Sequence, residues 1–437
     1  MYRWLQWAIV LGVGWLAVAI YSYPGFMSFD SIEQLAVARG LQKFSDWHPP
    51  IMALLWRPLD WIVRGPWLMV MLQCGLLLGG GFALLRRVVR PWVAVAMTLG
   101  VFLWPTVFTS MAVVWKDSLM AGVLLASYAA LTSERVWPQR ASLVGFLFAT
   151  MLRHNALFAV LPLLVISSPW PKDRRPWVKR GVGFAITVCL VVGAQLGNRL
   201  LVEEKQHPFQ NSLAIYDIVG MVRYAEPLTD AQCDELLVGV PLATHENIQK
   251  RADRAFNPYG WVDAVWSDRR FMDHAKTEAE LDAVFDAWLR LIERYPRAYI
   301  STRLRLIKLL LGFSNRGGVN IFNAHLEDRK LLASYGIDVD RGPVQLALSQ
   351  WFVAVSWDSM LFRAYPYLVL ALCLLFALRR NPTMLALLAS ALAYELALFV
   401  VAPSPDLRYS HWLILCALIA LCTRVATAWT TGSARAP

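Results

Sequence analysis

The chain has 437 residues, of which 57% are hydrophobic and only 17% are charged, and its formal net charge is +11. An ordinary soluble protein carries about 25% charged residues, so this composition excludes a typical soluble domain and predicts a membrane protein. The positive charge does not indicate nucleic-acid binding. Its lysines and arginines lie in short runs between apolar stretches, the pattern that sets the orientation of membrane helices. We therefore expect membrane lipid around the chain and no nucleic-acid partner.

Apolar stretches that suit membrane crossing recur along the chain. A crossing helix needs about 20 mostly apolar residues. No small-residue cleavage site follows the first stretch, so we interpret it as a retained span rather than a signal peptide. With the N-terminus inside, the sequence predicts ten spans, some of them short, at 4–22, 66–85, 91–109, 118–132, 141–152, 155–167, 181–201, 362–378, 383–402 and 411–429.

This topology is chosen because it places the basic runs on one side. Residues 86–90, 133–140, 168–180 and 379–382 become cytoplasmic, as the excess of Lys and Arg in cytoplasmic loops requires. We therefore expect an all-α polytopic membrane protein of about ten transmembrane helices. The loops that it leaves on the extracytoplasmic side are 23–65, 110–117, the break at 153–154, 202–361 and 403–410.

The predicted organisation has three parts: an N-terminal membrane module at 1–201, an extracytoplasmic loop domain at 202–361 and C-terminal membrane helices at 362–437. The loop domain is predicted to be helical, since Thr229 with Gln232 and Thr277 with Glu280 have the spacing of capping boxes.

Three segments are apolar enough to raise the question of further crossings. We interpret 49–63 as an interfacial helix, because a crossing there would place the basic run at 86–90 outside. Segments 297–313 and 344–357 must both cross or both be peripheral. Within the first of them, Arg303, Arg305 and Lys308 suggest an amphipathic helix that touches anionic lipid.

The first extracytoplasmic loop contains Asp30 in the sequence SFDS, and Glu33 three residues later. This spacing fits a capping box ahead of a short helix that Gly40 ends. A carboxylate at the membrane surface also suits a general base. The two interpretations are compatible, since a cap fixes the position of its carboxylate. The same loop continues with Asp46-Trp47-His48, and His48 is a candidate substrate-binding residue.

Two polar groups follow at the predicted outer ends of spans. Lys116 and Asp117 close the second loop, where Asp117 can serve as a helix cap and Lys116 can extend to the interface. Arg153, His154 and Asn155 interrupt an apolar segment. Charged groups at such a depth are costly unless they are paired or face a polar cavity, so we prefer an anion site there, with a simple polar turn as the alternative.

The last loop holds Arg408 and Tyr409. A single arginine here is compatible with an interface anchor. Taken with Lys116 and Arg153, however, it brings a third cation to one membrane face, and a lipid phosphate is the ligand that this arrangement favours.

In order and spacing, these motifs resemble the GT-C superfamily of membrane glycosyltransferases, which includes the aminoarabinose transferase of lipid A and the protein mannosyltransferases. Members take a sugar from a polyprenyl-phosphate carrier and share an acidic residue in the first extracytoplasmic loop. The resemblance is carried by SFDS followed by DWHPP, by WKD at 115–117, by the break at 153–155 and by RYSHW at 408–412. The likeness covers residues 1–200 and, more loosely, 362–429.

The chain departs from that family in two ways. Asp30 is followed by Ser rather than by the commoner Glu, which weakens the case for paired carboxylates or a metal. The large globular outer domain of the protein mannosyltransferases is absent from the sequence, which argues against a protein acceptor.

The resemblance implies transfer of a sugar from a polyprenyl-phosphate donor to a glycan or glycolipid acceptor, at an active site facing the periplasm on a bacterial-type inner membrane. Asp30 and Asp117 are then the candidate catalytic residues. Lys116, Arg153 and Arg408 are the candidates for binding the donor phosphate. The expected substrate-binding residues are His48, His154, Asn155 and Tyr409.

Two other functions fit the sequence. A lipid-linked polysaccharide polymerase or ligase would also have outer-face arginines, although its key residues would be expected in the long loop. A flippase or transporter of a lipid-linked sugar would be expected to show repeated halves, and no repeat is visible. Metal dependence stays open, because His48 and His154 lack a recognisable ligand spacing and the six cysteines form no CxxC pair.

Overall fold

A computed structural model of the chain describes residues 3–171, 174–313, 329–337 and 340–433. Across these residues the chain is helical, with isolated bridges but no β-strand. The predicted class, an all-α polytopic membrane protein, is confirmed. The described residues form two compact units. The first takes in those up to Glu203, those from Arg329 to Leu396 and those from Ser410 onward, and the second takes in those of 204–313 and 397–409.

The first unit begins with ten helices. In chain order they are α1 (Arg3–Ser22), α2 (Phe29–Ala38), α3 (Pro50–Ile62), α4 (Trp67–Leu85), α5 (Pro91–Phe102), α6 (Pro105–Met111), α7 (Lys116–Leu131), α8 (Val136–Leu152), α9 (Ala156–Ser167) and α10 (Pro176–Leu201).

The second unit follows, after a short π-helical turn at Phe209–Ala214. Its helices are α11 (Ile215–Tyr224), α12 (Asp230–Leu236), α13 (Ile248–Ala255), α14 (Val262–Trp266), α15 (Glu278–Arg294) and α16 (Pro296–Leu311). Both predicted capping boxes are confirmed, since the hydroxyl of Thr229 accepts from the Gln232 N–H and that of Thr277 accepts from the Glu280 N–H. The bounds of this unit differ from the predicted loop domain at 202–361, because residues from Arg329 to 361 group with the first unit.

The chain then returns to the first unit. The remaining helices are α17 (Arg329–Ser334), α18 (Pro343–Asp358), α19 (Ala364–Ala377), α20 (Pro382–Val401) and α21 (His411–Ser433). The last residues of α20, 397–401, belong to the second unit. The segments at 49–63, 297–313 and 344–357 are thus helical, as α3, α16 and α18.

Among the described residues, five helices are long and apolar enough to cross a membrane, and a bent pair gives a sixth. They are Trp4–Ser22, Trp67–Leu85, Pro176–Leu201, Pro382–Val401 and Leu407–Ala428, with α5 and α6 as the bent pair. The other predicted spans coincide with the shorter helices α7, α8, α9 and α19. The count of ten spans therefore stays a prediction.

The span predicted at 91–109 is not one straight helix but a bent pair. It bends by 73° between α5 and α6, because Pro105 has no N–H to continue the helix and disfavours helical geometry in Trp104. Trp104 accordingly has φ −57° and ψ 127°. The predicted break at 153–154 is confirmed, since Arg153 is extended (φ −149°, ψ 124°) between α8 and α9.

Small residues allow α4 and α7 to approach closely. A Cβ on Gly122 would lie 2.8 Å from the backbone oxygen of Gln73, and one on Gly80 would lie 2.7 Å from the backbone nitrogen of Ala126. Such glycines are typical of close helix contacts in membranes. The Gln73 amide also donates to the carbonyls of Met111 and Val113 at 2.7 and 2.8 Å. These contacts fix the backbone that leads into α7, which begins the candidate site.

Candidate active site

The first and second predicted extracytoplasmic loops are held together by hydrogen bonds. Phe26 forms a bridge with Val113, and the hydroxyl of Ser31 donates to the carbonyl of Val114 at 2.5 Å. The indole N–H of Trp115 donates to the hydroxyl of Ser28 at 2.8 Å. The start of α2 is therefore anchored beside the residues that lead into α7.

Asp30 does not cap α2, so that prediction is wrong. The helix begins at Phe29, Ser28 is its N-cap, and the reciprocal partner of Ser28 is Ser31 rather than Glu33. A serine at this place competes with aspartate as a cap because both are good acceptors for the orphan N–H groups. Asp30 is instead a partly buried residue of the first turn, where the helix dipole favours a carboxylate. The predicted end of the helix at Gly40 is confirmed by its φ of +74°.

Glu33 was not predicted as a site residue, yet it contacts one. Its Oε2 lies 2.7 Å from Nε2 of His48, and His48 Nδ1 is buried without a hydrogen-bond partner among the described residues. The available signal was the spacing of Asp30 and Glu33, because residues three apart share a helix face. The predicted contact of His48 with substrate stays a prediction.

Asp117 and Arg153 form an ion pair, Arg153 donating from Nη1 to Asp117 Oδ1. Only 2% of the Asp117 side chain and 11% of the Arg153 side chain are exposed. Arg153 Nε also donates to Oδ1 of Asn155 at 3.2 Å. The prediction that Asp117 caps α7 is wrong, because the helix begins at Lys116 and Trp115 is its N-cap. The second oxygen of Asp117 is buried and has no partner in the part of the chain that the structure describes.

The ion pair brings two helix N-termini together. Asp117 lies in the first turn of α7, while Arg153 and Asn155 immediately precede α9. Each N-terminus contributes a partial positive charge. Partial removal of the His154 ring from water holds the pKa of His154 below its usual value. The charges of Lys116 and Arg153 act in the same direction, and that of Asp46 opposes them. The electrostatic environment at this place is thus mainly positive, and the carboxylates of Asp117 and Asp46 act within it.

Arg408 and Tyr409 belong to the second unit. Arg408 Nη2 lies 3.2 Å from Oδ2 of Asp406, and its guanidinium stacks 5.4 Å from the ring centre of Tyr409. The hydroxyl of Ser404 donates to the same Asp406 oxygen at 3.1 Å and lies 3.3 Å from the hydroxyl of Tyr409. The segment 404–409 is therefore cross-linked by its own side chains, and the predicted convergence of Arg408 with Lys116 and Arg153 stays a prediction.

The structure describes no group of three or more His, Cys, Asp or Glu side chains placed as ligands of one metal ion. The first unit carries carboxylates at Asp30 and Asp117, an imidazole paired with a carboxylate at His48, and cations at Lys116 and Arg153. Of these, Arg153 contacts Asp117. That all of them form one site stays a prediction.

Comparisons with known proteins add little. No protein-family model matches the chain, and no curated protein matches it. Among solved structures, the chain is similar to ArnT from Cupriavidus metallidurans bound to undecaprenyl phosphate, with 15% sequence identity and a TM-score of 0.34. The match covers 99% of this chain and 80% of that chain. Since the TM-score is this low, we base no argument on the likeness, and the function is inferred from the geometry of the chain itself.

Proposed function

We propose that the chain is a GT-C-type membrane glycosyltransferase that moves a sugar from a polyprenyl-phosphate carrier to a cell-envelope glycan or glycolipid. The reaction would take place on the periplasmic face of the inner membrane. The observation that supports this proposal most is the meeting of two helix N-termini, those of α7 and α9, beside Lys116 and Arg153.

Such a meeting suits a phosphate. Helix N-termini present backbone N–H groups and a positive dipole end, which makes them sites for anions. A phosphate that remains on the lipid after sugar transfer gains negative charge as the bond between C1 and its oxygen breaks. Preorganised donors stabilise that charge most effectively when water is excluded. Asp117 holds Arg153 in place for this role, because the pair is almost fully buried.

The acceptor hydroxyl must lose its proton as its oxygen forms the new bond to C1. We assign that proton to the carboxylate of Asp30, a general base that contributes about 10²–10⁴ in rate. Its place in the first turn of α2 fixes its backbone, because Ser28 and Ser31 cap the helix and bond to the neighbouring segment. Asp117 is assigned to sugar or acceptor binding through its second, unpartnered oxygen.

The remaining predicted residues are assigned to substrate binding. His48, His154 and Asn155 lie in the first unit and are proposed to contact the sugar or the acceptor. Arg408 and Tyr409 lie in the second unit, and we propose that they bind the donor. The contribution of Arg408 is tested separately, with the variant Arg408→Ala.

The decisive experiment measures the release of polyprenyl phosphate by the purified chain in detergent, with polyprenyl-phosphate sugars as donors. Lys116→Gln and Arg153→Gln should each lower the rate by about 10²–10³, the usual effect of removing one such donor group. The matched control is Arg87→Gln. Arg87 follows α4 and donates to the carbonyl of Ala129 and the hydroxyl of Thr132, at the C-terminal end of α7 and away from the candidate site. Its variant should retain the wild-type rate.

The outcomes separate the candidate functions. Full rates in both site variants, with the proteins folded, would exclude a role for these cations in transfer. No release by the wild type, together with movement of the lipid-linked sugar across vesicle membranes, would favour the transporter. Extension of a lipid-linked chain instead of single transfer would favour the polymerase or ligase.

A further inference from the structure

The second unit contains a fully buried ion pair that the proposed reaction does not use. Arg303 of α16 and Asp217 of α11 are both 0% exposed, and Arg303 Nη2 lies 2.6 Å from Asp217 Oδ2. The indole N–H of Trp288 donates to the same oxygen at 2.9 Å. The prediction that Arg303 touches lipid is therefore wrong, whereas the neighbouring Arg305 is exposed and donates to the hydroxyl of Tyr224.

The pair is enclosed tightly. The Arg303 guanidinium lies 5.9 Å from the ring centres of both Tyr216 and Tyr299. Thr302, next to Arg303, packs against Gly220 of α11. A Cβ at Gly220 would lie 2.3 Å from the methyl carbon of Thr302, so only glycine fits there. Close packing of this kind fixes the direction in which the guanidinium points.

The other branch of the guanidinium reaches a different part of the unit. Arg303 Nη1 donates to the carbonyl oxygen of Ala402 at 2.7 Å. Ala402 is 0% exposed and directly follows α20, and the segment 403–409 begins after it. Arginine suits this task because its donors form a rigid planar fork, so one side chain can bind Asp217 and the Ala402 carbonyl at the same time.

We propose that Arg303, oriented by Asp217 and Trp288, is a positioning residue that holds segment 402–409 against the helices of the second unit. The segment carries Arg408, whose contact with Asp406 and stacking on Tyr409 order the segment internally. The bond from Arg303 adds a fixed point at the start of the segment. That this fixed point serves donor binding rests on the proposed function, whereas the restraint itself does not.

The test must avoid a simple failure to fold. Removing Arg303 alone would leave the Asp217 charge buried without a partner, which is strongly destabilising, whereas replacing both partners is far better tolerated. The variant is therefore Arg303→Met with Asp217→Asn, since the amide oxygen of the new asparagine can still accept from Trp288. The matched control is Arg305→Met, two residues along the same helix.

The first measurement is amide hydrogen exchange of the full chain in detergent, followed by mass spectrometry of the peptide that covers 402–410. Loss of a hydrogen bond from a charged donor should speed exchange there by about tenfold to a hundredfold, including at the Tyr409 amide, which now bonds to the Asp406 carbonyl. Arg305→Met should leave it unchanged. Equal exchange in the double variant and the wild type would overturn the proposal, whatever the function of the protein.

The second measurement is the binding of undecaprenyl phosphate and the kinetics with a polyprenyl-phosphate sugar. A positioning role predicts that the double variant raises KM for the donor by about tenfold and changes kcat much less, because an effect on binding alone leaves kcat unchanged. Faster exchange with unchanged donor KM would refute the positioning role. If the wild type neither binds undecaprenyl phosphate nor uses the donor, the proposed function fails, and the exchange measurement still decides whether Arg303 restrains the segment.

Discussion

Replacement of Asp30 by Asn separates chemistry from stability in this chain. The change keeps the size of the side chain and removes its ability to take a proton, so we expect transfer to fall by about 10²–10⁴. The structural cost is small, because Ser28 and not Asp30 caps α2. What is lost is the attraction of a first-turn carboxylate to the helix dipole, about 0.3–1 kcal/mol.

The matched control is Ser28→Ala, which should show the opposite pattern. It removes the N-cap, at a cost of about 1 kcal/mol, and the 2.8 Å bond from Trp115, which contributes roughly 0.5–1.5 kcal/mol more. We therefore expect a lowered thermal midpoint in detergent and a rate that stays within a few-fold of the wild type below that midpoint.

Both variants are assayed by release of polyprenyl phosphate and by thermal unfolding of the purified protein. A wild-type rate for Asp30→Asn would remove Asp30 from the mechanism. A loss of stability in Asp30→Asn equal to that in Ser28→Ala would show that the assignment of the cap is wrong.

Three further predictions concern topology, donor binding and packing. In a cysteine-free background, an impermeant reagent added to intact cells should label a cysteine at position 268 but not one at position 175, and labelling at 175 would contradict the predicted orientation. Arg408→Ala should weaken donor binding while the protein stays folded and inserted, and unchanged donor use would exclude Arg408 from the phosphate site. Gly122→Ala should destabilise the protein by about 1–3 kcal/mol through overpacking against the Gln73 backbone, whereas Gly100→Ala, which has nothing within 4 Å, should not, as thermal unfolding of both would show.

The helices were largely predictable from the sequence because their causes are local. Apolar length, the two threonine capping boxes and the break at Arg153 are all patterns within a few residues. The span predicted at 91–109 passes the length and composition test only as a bent pair of helices, and the signal for that bend was also local. Pro105 marks the place of the bend, which measures 73°. A proline inside an apolar stretch, however, is compatible with both a kinked helix and two separate helices.

The contacts within the site were not predictable in the same way. Asp117 and Arg153 were both identified, but their pairing joins residues 36 apart in the chain, and no local pattern encodes it. The caps show a related difficulty. Asp30 and Ser28 are both good N-caps. The choice between them depends on the bond that Ser31 donates to Val114 and the bond that Ser28 accepts from Trp115, and only the folded chain brings these residues together.

Arg303 shows how far a local pattern extends in this chain. It lies on the same helix face as Leu306 and Leu310, three and seven residues later, and these leucines are buried, whereas Arg305 lies off that face and is exposed. A charge on the apolar face of an amphipathic helix must be paired, because burying it alone is far too costly. The sequence thus contains the signal that Arg303 needs a buried partner. It does not identify Asp217, which is 86 residues away, or the carbonyl of Ala402, which is 99 residues away. Every residue carries a backbone carbonyl, so the sequence does not indicate which one Arg303 binds. The restraint on segment 402–409 could therefore be found only in the folded structure.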